Sequence, residues 1–520
     1  MLGALISLQG AERNTLRALR SVSLSKLNWG NSACALLLLC VTTAIVSPAQ
    51  TLTTIRSFDN TDGNTPDGFV QATNGELYGT AYEGGANGDG TIFKITVSGT
   101  LTTLLSLDGS DGSFPFGLPL VQAPSGDFYG TLQAGGADLT LCGGYGCGTF
   151  FKITPSGTLT TLYSFCSQTN CTDGSVPLTN LVQATNGDFY GTTSSGGANC
   201  IAAGGCGTVF KITPSGSLTT LYSFCSQTNC TDGEFPFVGL IQASNGNFYG
   251  TALYGGANGY GAVFKLTPSG TLTTLHSFDN TDGSEPLNLI QASNGDFYGT
   301  TAEGGANTTL CGGVGCGTLF RITQSGTLIT LHSFDGTDGS WPHTPAQATD
   351  GNFYGTTKYG GANTNSSCPT GCGTIFKITP SGKLTTLYSF CAQSGCTDGI
   401  AGGGGPLQDT NGKFYGSTDG GGTSDACPVG CGTIYSLAVG LGPFVETQTT
   451  SGRVGAAVKI LGTNLTGATS VTFNDTSAVF KVVSSSLITT TVPSGATTGF
   501  VTVTTPKGTL KSNTKFRVTP

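Results

Sequence analysis

One four-part phrase recurs seven times between residues 51 and 438, and this repetition limits the fold more than any other feature of the sequence. Each copy has a Tyr-Gly pair, a Gly-Gly loop, a Gly-Thr-x-Phe-Lys-Ile-Thr-like stretch and a Leu-Thr-Thr-Leu-x-Ser-Phe-like stretch. The Tyr-Gly pairs begin at Tyr78, Tyr129, Tyr190, Tyr249, Tyr298, Tyr354 and Tyr415. Their spacing is 49 to 61 residues, and a period in this range indicates a solenoid, a propeller or an array.

Each copy predicts four short strands, here called A to D in chain order, and no helix. Strand A is a Val/Leu-Gln-Ala run and strand B is Phe-Tyr-Gly-Thr, while strands C and D are the two longer stretches. Asn-Gly between A and B, and Pro-Ser-Gly between C and D, are signals for tight turns. Four-stranded units repeated radially are the blades of a β-propeller.

The two ends of the array predict how the ring closes. The array opens with a D strand over residues 52–58 and finishes with a C strand over residues 432–437. We therefore expect the N-terminal strand to complete the seventh blade, because this pairing removes an exposed sheet edge. The prediction is an all-β chain with a seven-bladed β-propeller, closed by an N-terminal strand, over residues 50–440.

Composition and charge narrow the classes of partner. Only 10% of residues are charged and 83 are Gly, yet 37% are hydrophobic, which suits a turn-rich β protein with a core. Residues 1–50 carry a net charge of +3, so the rest of the chain carries −11. This acidic balance argues against nucleic acid and against anionic membrane surfaces as partners.

Residues 1–49 are predicted to be an export signal. A basic stretch precedes an apolar run over residues 33–46, and Ser47-Pro48-Ala49 offers small residues for cleavage before Gln50. An uncleaved anchor, a later start and a lipoprotein site at Cys40 are the alternatives. No other hydrophobic span follows. We expect a monomer that is secreted or held at the outer cell surface, with the periplasm as the alternative.

Sixteen of the 18 Cys lie outside the signal, in eight close pairs, and each pair occurs only where a loop is lengthened. The economical interpretation is one local disulfide across each long loop, since disulfides persist in exported proteins. Zinc is the competing interpretation, and scattered pairs with almost no His disfavour it. The pairs are Cys142/Cys147, Cys166/Cys171, Cys200/Cys206, Cys225/Cys230, Cys311/Cys316, Cys368/Cys372, Cys391/Cys396 and Cys427/Cys431.

The repeated phrases resemble a known family. Asn-Gly-Asp-Phe-Tyr-Gly-Thr-Thr, Gly-Gly-Ala, Gly-Thr-Val-Phe-Lys-Ile-Thr-Pro-Ser-Gly and Leu-Thr-Thr-Leu-Tyr-Ser-Phe are similar to the GloVer (Gloeo/Verruco) tandem repeat of exported bacterial proteins. The resemblance extends over all seven copies. It implies a secreted or cell-surface repeat protein and carries no catalytic residue with it.

Residues 443–520 break the repeat. The stretches over residues 452–455, 459–465, 470–474 and 491–493 look like an IPT/TIG domain, which is an immunoglobulin-like β-sandwich. Alternating apolar residues near the C-terminus supply the closing strands. Such domains accompany many extracellular proteins as spacers or binding modules, and the architecture alone does not fix a function.

The sequence offers little catalytic chemistry. His276 and His332 occupy a strand-D position that other copies fill with Arg, Leu or Tyr, so we interpret them as repeat variants. Only His343 lies in a loop, and no Ser-His-Asp or Cys-His arrangement emerges. The Gly-rich strings precede strands rather than helices, so they are loops and not phosphate-binding motifs. We predict no catalytic residue, no metal site and no cofactor.

Two repeated polar motifs have competing interpretations. Asp-x-x-Asp-Gly recurs at Asp59, Asp108, Asp279 and Asp335; it favours an Asx turn, with calcium ligation as the alternative. One strand-A position holds Gln71, Gln122, Gln183, Gln242, Gln291, Gln347 and Gln408. These Gln could form a polar ring in the central channel or hydrogen bonds to neighbouring blades.

The differences between the seven copies are concentrated on one face of the predicted propeller. Only the D–A and B–C loops vary in length, and both kinds of loop emerge on the same side of a propeller. Around the D–A proline the residues differ between copies and include aromatic side chains, which suit sugar stacking or protein contact on a rigid scaffold. The alternative is that they cap the inner strands. The candidate ligand-binding residues are Phe114, Phe116, Phe235, Phe237, Trp341 and His343.

The leading hypothesis is an exported, non-enzymatic binding or surface-structural protein whose variable face meets a polysaccharide or another surface protein. The alternative is a secreted polysaccharide-degrading lyase or glycosidase of propeller fold. Such an enzyme would need one cluster of Tyr, His, Arg or paired carboxylates on that face.

Overall fold

Seven antiparallel sheets, each with its strands in the order A-B-C-D, form the repeat region. The computed structural model describes residues 50–116, 119–178, 180–199, 206–306 and 309–519, so the predicted signal segment 1–49 lies outside the described residues. Strand β1 (Thr51–Ser57) precedes the first blade. Blade 1 contains β2 (Asn64–Gln71), β3 (Leu77–Glu83), β4 (Thr91–Ile95) and β5 (Leu101–Ser106), and blade 2 contains β6 (Val121–Gln122), β7 (Phe128–Leu132), β8 (Thr149–Ile153) and β9 (Leu159–Ser164). Blade 3 contains β10 (Val182–Gln183), β11 (Phe189–Thr193), β12 (Thr208–Ile212) and β13 (Leu218–Ser223), and blade 4 contains β14 (Ile241–Gln242), β15 (Phe248–Ala252), β16 (Ala262–Leu266) and β17 (Leu272–Ser277).

Strand A is split into two short pieces in the last two blades. Blade 5 contains β18 (Ser284–Gln291), β19 (Phe297–Glu303), β20 (Thr318–Ile322) and β21 (Leu328–Ser333). Blade 6 contains β22 (Ser340–Pro342), β23 (Ala346–Gln347), β24 (Phe353–Tyr359), β25 (Thr374–Ile378) and β26 (Leu384–Ser389). Blade 7 contains β27 (Ile400–Gly402), β28 (Leu407–Gln408), β29 (Phe414–Gly420) and β30 (Thr433–Ala438). Short 3-10 helices lie in the lengthened loops at Cys142–Gly144, Thr169–Cys171, Thr228–Cys230, Cys311–Gly313 and Ser394–Cys396.

The ring closes through its N-terminal strand. Strand β1 pairs antiparallel with β30, from Thr51 opposite Ala438 to Ser57 opposite Thr433. The side chain of Phe58, just beyond β1, is fully buried. The predicted seven-bladed β-propeller closed by an N-terminal strand is therefore confirmed.

An aromatic stack joins each blade to the next and explains the repeated Phe-Tyr-Gly-Thr phrase. At six junctions the strand-B Tyr of one blade packs on the strand-B Phe of the following blade, with ring centroids 4.1 to 4.4 Å apart. At the seventh junction Leu77 replaces Phe and shares a buried cluster with Tyr415. The Gly after each Tyr makes room for a strand-C ring: a Cβ on Gly299 would lie 2.7 Å from Phe320 Cζ. Such aromatic pairs each contribute about 0.5–1.5 kcal/mol beyond their buried area.

The strand-A Gln side chains join neighbouring blades. At six junctions the Gln Oε1 accepts the backbone N–H of a residue in the preceding A–B turn, at 2.8 to 3.2 Å. At the seventh junction the turn residue is Pro124, which has no N–H to donate to Gln183. Of the two interpretations of these Gln, the structure supports the interblade hydrogen bond.

A second interblade ring uses an unexpected backbone conformation. The residue before each D–A proline, and its counterpart Ala401 in blade 7, has a left-handed φ of 54° to 57°, whereas a residue before proline is usually extended. Each of these residues donates its N–H to the blade before it, as Phe235 does to Cys206 O at 2.9 Å. The seven residues are Thr65, Phe114, Val176, Phe235, Glu285, Trp341 and Ala401.

The C-terminal segment is an immunoglobulin-like β-sandwich, as predicted. Its strands are β31 (Val445–Thr447), β32 (Ser451–Arg453), β33 (Ala457–Gly462), β34 (Ser470–Phe473), β35 (Thr476–Ser477), β36 (Phe480–Val482), β37 (Leu487–Thr491), β38 (Gly499–Thr505) and β39 (Gly508–Thr519). The buried core includes Ile460, Val471, Ile488, Val501 and Phe516.

The sandwich contacts the face of the propeller that carries the A–B turns. Lys459 Nζ donates to the Pro124 carbonyl at 2.7 Å, and Gln448 Nε2 donates to the Gln122 carbonyl at 3.0 Å. Residues Gln50–Pro520 accordingly form one compact unit. The sandwich therefore lies on the side opposite the variable loops.

Candidate functional site

Two repeat positions bring residues of different blades together on the variable-loop side of the propeller, as Phe116 with Phe237 and Lys358 with Asp419. We call the fourteen residues at these two positions the mouth ring. The first position follows the D–A proline, or Gly402 in blade 7; the second lies four residues after the strand-B Tyr. The first position holds Asp67, Phe116, Leu178, Phe237, Leu287, His343 and Gly403. The second position holds Tyr82, Gln133, Ser194, Leu253, Ala302, Lys358 and Asp419.

One side of the mouth ring is apolar and aromatic. Phe116 of blade 2 and Phe237 of blade 4 meet across the intervening blade, edge to face, with ring centroids 5.5 Å apart. Tyr82 packs edge to face on Phe116, with a centroid separation of 5.4 Å. Phe116 keeps 37% of its surface exposed, whereas Leu253 keeps 8%. The ring pair is therefore a platform that a ligand can reach, supported by a buried aliphatic layer.

The predicted aromatic candidates occupy both sides of the proline. Phe114, Phe235 and Trp341 precede it and are half-buried. Phe235, Phe237 and Trp341 pack against Leu253, Leu287 and Ala302 in one cluster. Five of the six candidate residues thus belong to one aromatic side of the mouth, and His343 lies apart from them.

The other side of the mouth ring is polar, and we call its four residues Asp67, His343, Lys358 and Asp419, from blades 1, 6 and 7, the polar recess. Lys358 Nζ lies 3.6 Å from Asp419 Oδ2. Asp67 Oδ1 accepts the N–H of Gly68 at 2.7 Å and of Gly404 at 3.1 Å. Lys358 and Asp419 keep 36% and 26% of their side-chain surface exposed. These groups are therefore surrounded by protein yet remain open to water.

Burial shifts the pKa values of the titratable groups in the polar recess. Burial raises the pKa of Asp419 to about 7, with the Asp67 charge adding to the rise and Lys358 opposing it. Burial likewise raises the pKa of Asp67 against the Gly68 and Gly404 N–H groups. Burial and the nearby Lys358 ammonium lower the pKa of His343 to about 4. His343 is thus neutral at pH 7, and its Nε2 is shielded from water without a hydrogen-bond partner among the described residues.

Three of the four residues in the polar recess were missed by sequence reasoning. Lys358 and Asp419 occupy the same repeat position on consecutive blades, while Asp67 comes from the first blade. Comparing the seven copies at the position four residues after Tyr would have found the signal, because only two copies carry a charge there.

The Asp-x-x-Asp-Gly motifs form Asx turns. Asp59 Oδ1 accepts the Thr61 N–H at 3.0 Å and the Thr61 hydroxyl at 2.6 Å. The second Asp of the motif contacts the strand-D side chain, as His276 Nε2 does with Asp282 Oδ2 at 2.6 Å. His332 and Asp338 repeat this pair, so these two His stabilise the turn rather than the mouth.

Seven of the predicted disulfides are present, each within its own loop. Cys206 is also disulfide-bonded, and its predicted partner Cys200 lies outside the described residues. In blade 2 the sulfur atoms of Cys147, Cys166 and Cys171 lie within 4.8 Å of one another, so disulfides of two different loops pack side by side. The seven pairs are Cys142–Cys147, Cys166–Cys171, Cys225–Cys230, Cys311–Cys316, Cys368–Cys372, Cys391–Cys396 and Cys427–Cys431.

The disulfides of the long B–C loops differ from a simple clasp across a surface loop, and the disulfide of Cys427 and Cys431 shows why. Cys431 is fully buried and belongs to the core cluster that also contains Phe58 and Ile434. The reason is its position two residues before strand β30, where the loop has already entered the blade. Its carbonyl accepts the N–H of Thr65 at 3.1 Å across the blade 7 to blade 1 junction. This disulfide therefore fixes its loop to the propeller core as well as closing it.

The fold and these loops define a seven-bladed β-propeller protein with an attached immunoglobulin-like domain. The sequence matches the Gloeobacter/Verrucomicrobia repeat over residues 42–242 and 201–429, and the IPT/TIG domain over residues 443–518. The chain therefore belongs to the Gloeobacter/Verrucomicrobia repeat family and ends in an IPT/TIG domain. No curated protein sequence matches the chain.

Solved structures with a similar fold include enzymes of distant sequence. A fungal alcohol oxidase of the AA5 family, in complex with copper, is 12% identical with a TM-score of 0.50 and covers 90% of this chain and 99% of its own. A putative 6-phosphogluconolactonase from Bacteroides uniformis is 16% identical with a TM-score of 0.42, covering 66% and 88%. At 12% identity the likeness to the oxidase shows the fold alone. Within the described part of the chain, no helix has the length and apolar character needed to span a membrane.

Proposed function

We propose that this protein is an exported, non-enzymatic binding protein that holds a polysaccharide at the mouth ring. One observation carries the proposal: Phe116 and Phe237, from two non-adjacent blades, form an accessible aromatic platform in the same ring of positions as the polar recess. Sugar rings stack their C–H faces on aromatic side chains while polar groups bind the hydroxyls, and mostly apolar pockets with a few polar groups are typical ligand sites.

The scaffold supports this function because it is rigid where the ligand would bind. The D–A segments are fixed by seven interblade hydrogen bonds from the left-handed residues. A preorganised platform loses little conformational entropy on binding. The disulfides fix the loops around it and suit an oxidising compartment, which agrees with an extracellular or surface location.

The test is binding of the purified protein to a panel of neutral, amine-bearing and acidic polysaccharides, by glycan array and pull-down. Phe116→Ala combined with Phe237→Ala should reduce binding at least tenfold, since both stacking rings are removed. Tyr145→Ala is the matched control, because Tyr145 is an aromatic residue that is 69% exposed outside the mouth ring. Unchanged binding by the double variant would contradict the proposal, and binding to a surface protein alone would favour the protein-contact hypothesis.

The polar recess favours a second candidate function, hydrolysis of a glycan. It brings together two carboxylates, Asp67 and Asp419, and His343, which is the kind of cluster that a polysaccharide-degrading enzyme needs. A reducing-sugar assay on every polysaccharide that binds tests this function. Turnover that disappears in Asp419→Asn, with binding retained, would establish degradation in place of simple binding, and the absence of unsaturated products would assign it to hydrolysis.

A further inference from the structure

The variable-loop face is strongly acidic. Each blade contributes two segments to this face. One runs from the end of strand D through the residue after the proline, and the other runs from the mouth-ring residue of strand B to the Gly before strand C. Lys358 is the only Lys or Arg in these fourteen segments. The same segments carry most of the acidic residues of the propeller, among them Asp67, Glu83, Asp89, Asp108, Asp111, Glu234, Glu285, Glu303 and Asp419. A face of one sign raises the local concentration of ligands of the opposite sign.

The polar recess concentrates this charge beside the aromatic platform. With Asp67 and Asp419 ionised, the single cation Lys358 neutralises only one of them, because His343 is neutral at pH 7. The 3.6 Å separation of Lys358 Nζ from Asp419 Oδ2 is longer than a charge-assisted hydrogen bond, which is about 2.7–2.9 Å. Among the described residues, Lys358 is the only group paired with the Asp419 carboxylate, and no other donates a hydrogen bond to it. The Asp419 carboxyl group is therefore available to a ligand cation, which favours its ionised form.

A second acidic group adjoins the aromatic side. Glu285 and Glu303 lie near Tyr254, where their charges raise the pKa of its hydroxyl after the larger effect of burial. Tyr254 in turn packs on Phe235, with ring centroids 5.9 Å apart. Aromatic faces also attract cations directly. The whole mouth thus disfavours uronic acid polymers and favours positively charged sugars.

We propose, on the basis of the proposed function above, that the mouth ring binds an amine-bearing glycan, with a protonated sugar amine between Asp419 and Asp67 and the sugar ring on the Phe116–Phe237 platform. When the ligand amine binds, the Lys358 ammonium either moves away from Asp419 or shares the Asp419 carboxylate with the ligand. In the protein without ligand, the pKa of Asp419 is about 7. Binding of a cation at pH 6 therefore ionises this carboxyl group and releases a proton.

The test is isothermal titration of the purified protein at pH 6 with glucosamine hexamer and with N-acetylglucosamine hexamer, in two buffers of different ionisation enthalpy. The two sugars share one backbone and differ in the amine. We expect the amine form to bind at least tenfold more tightly and to release up to one proton per site. Asp419→Asn should abolish both the preference and the proton release, whereas Asp138→Asn, at an exposed loop carboxylate outside the recess, should preserve them.

Each remaining outcome is decisive. Equal affinity for the two hexamers, or a preference for the acetylated one, overturns the amine-glycan inference and leaves polysaccharide binding standing. Binding of oligolysine as tight as that of the glucosamine hexamer also overturns it, because a basic peptide would then be recognised by charge alone. Binding of neither hexamer overturns the inference, and the polysaccharide panel then decides whether the proposed function fails with it.

Discussion

Thr410 in the last blade donates its backbone N–H to Gln71 Oε1 in the first blade at 3.1 Å. Gln71 returns a hydrogen bond from Nε2 to the Thr410 hydroxyl at 2.9 Å. These two residues are 339 positions apart, and their pairing joins the ends of the ring next to the axis. Gln408 and Thr349 repeat the full exchange at the blade 6 to blade 7 junction. Four further junctions keep only the bond from the backbone N–H to the Gln oxygen.

The interblade Gln bonds make a stability prediction with an internal control. Gln242→Ala removes the acceptor of the Thr185 N–H, and the free energy of unfolding should fall by about 1 kcal/mol more than in Gln183→Ala. Gln183 faces Pro124, which donates no N–H, so this variant loses only its bond to the Gly187 carbonyl. Urea unfolding of the two variants measures the difference, and equal losses would show that the bonds contribute nothing at this position.

Closure by β1 predicts unequal effects of two truncations. Deleting residues 51–58 removes the strand paired with β30 and the buried Phe58, so the melting temperature should fall far more than when residues 443–520 are deleted. The second deletion removes a sandwich with a core of its own. Differential scanning calorimetry compares them, and similar melting temperatures would mean that the N-terminal strand does not hold the ring closed.

The disulfide pattern predicts strictly local links. Non-reducing peptide mapping should find Cys166 joined to Cys171 and Cys142 joined to Cys147 in blade 2. This blade is the sharpest place to look, since the sulfur atoms of the two loops lie within 4.8 Å. A peptide linking Cys147 to Cys166 would contradict the assignment.

The sandwich contact predicts a pH-dependent stability. Burial, with the Asp409 charge added, raises the pKa of Glu446 to about 7, and burial raises that of Asp409 to about 6. The folded state then binds more protons than the unfolded state between about pH 4.5 and 7, so stability falls as pH rises through this window.

Glu446→Gln should reduce the loss of unfolding free energy across that window by on the order of 1–2 kcal/mol, as measured by urea unfolding at pH 4.5, 6 and 7.5. Asp138→Asn, at an exposed carboxylate whose pKa is lowered by Thr140, is the control and should leave the slope unchanged in this window. A slope that is identical in wild type and Glu446→Gln would contradict the assignment to this carboxyl group.

Local phrases were enough to predict the fold. The Phe-Tyr-Gly-Thr strand is read directly from the sequence, and the structure shows that its Phe and Tyr form the interblade stacks, as in Tyr190 on Phe248. The placement of β1 followed from the missing D strand at the end of the array. Both inferences worked because a repeat shows each interaction several times.

The polar recess could not be predicted in the same way. Asp67 and Asp419 are 352 positions apart and become neighbours only because the ring closes. The left-handed conformation before the D–A proline also escaped prediction, since local preference favours an extended residue there. An interblade hydrogen bond, as from Trp341 N to Cys316 O at 3.1 Å, outweighs that preference.

The measurement that tests the central claim most directly is hydroxyl-radical footprinting of the protein with and without the polysaccharide that it binds most tightly. We expect ligand-dependent protection of Tyr82, Phe116 and Phe237 in the mouth ring, with Tyr145 unchanged on the outer loop. Protection confined to the IPT/TIG domain or to the A–B turns, with Phe116 and Phe237 oxidised as in the free protein, would contradict a ligand site at the mouth ring.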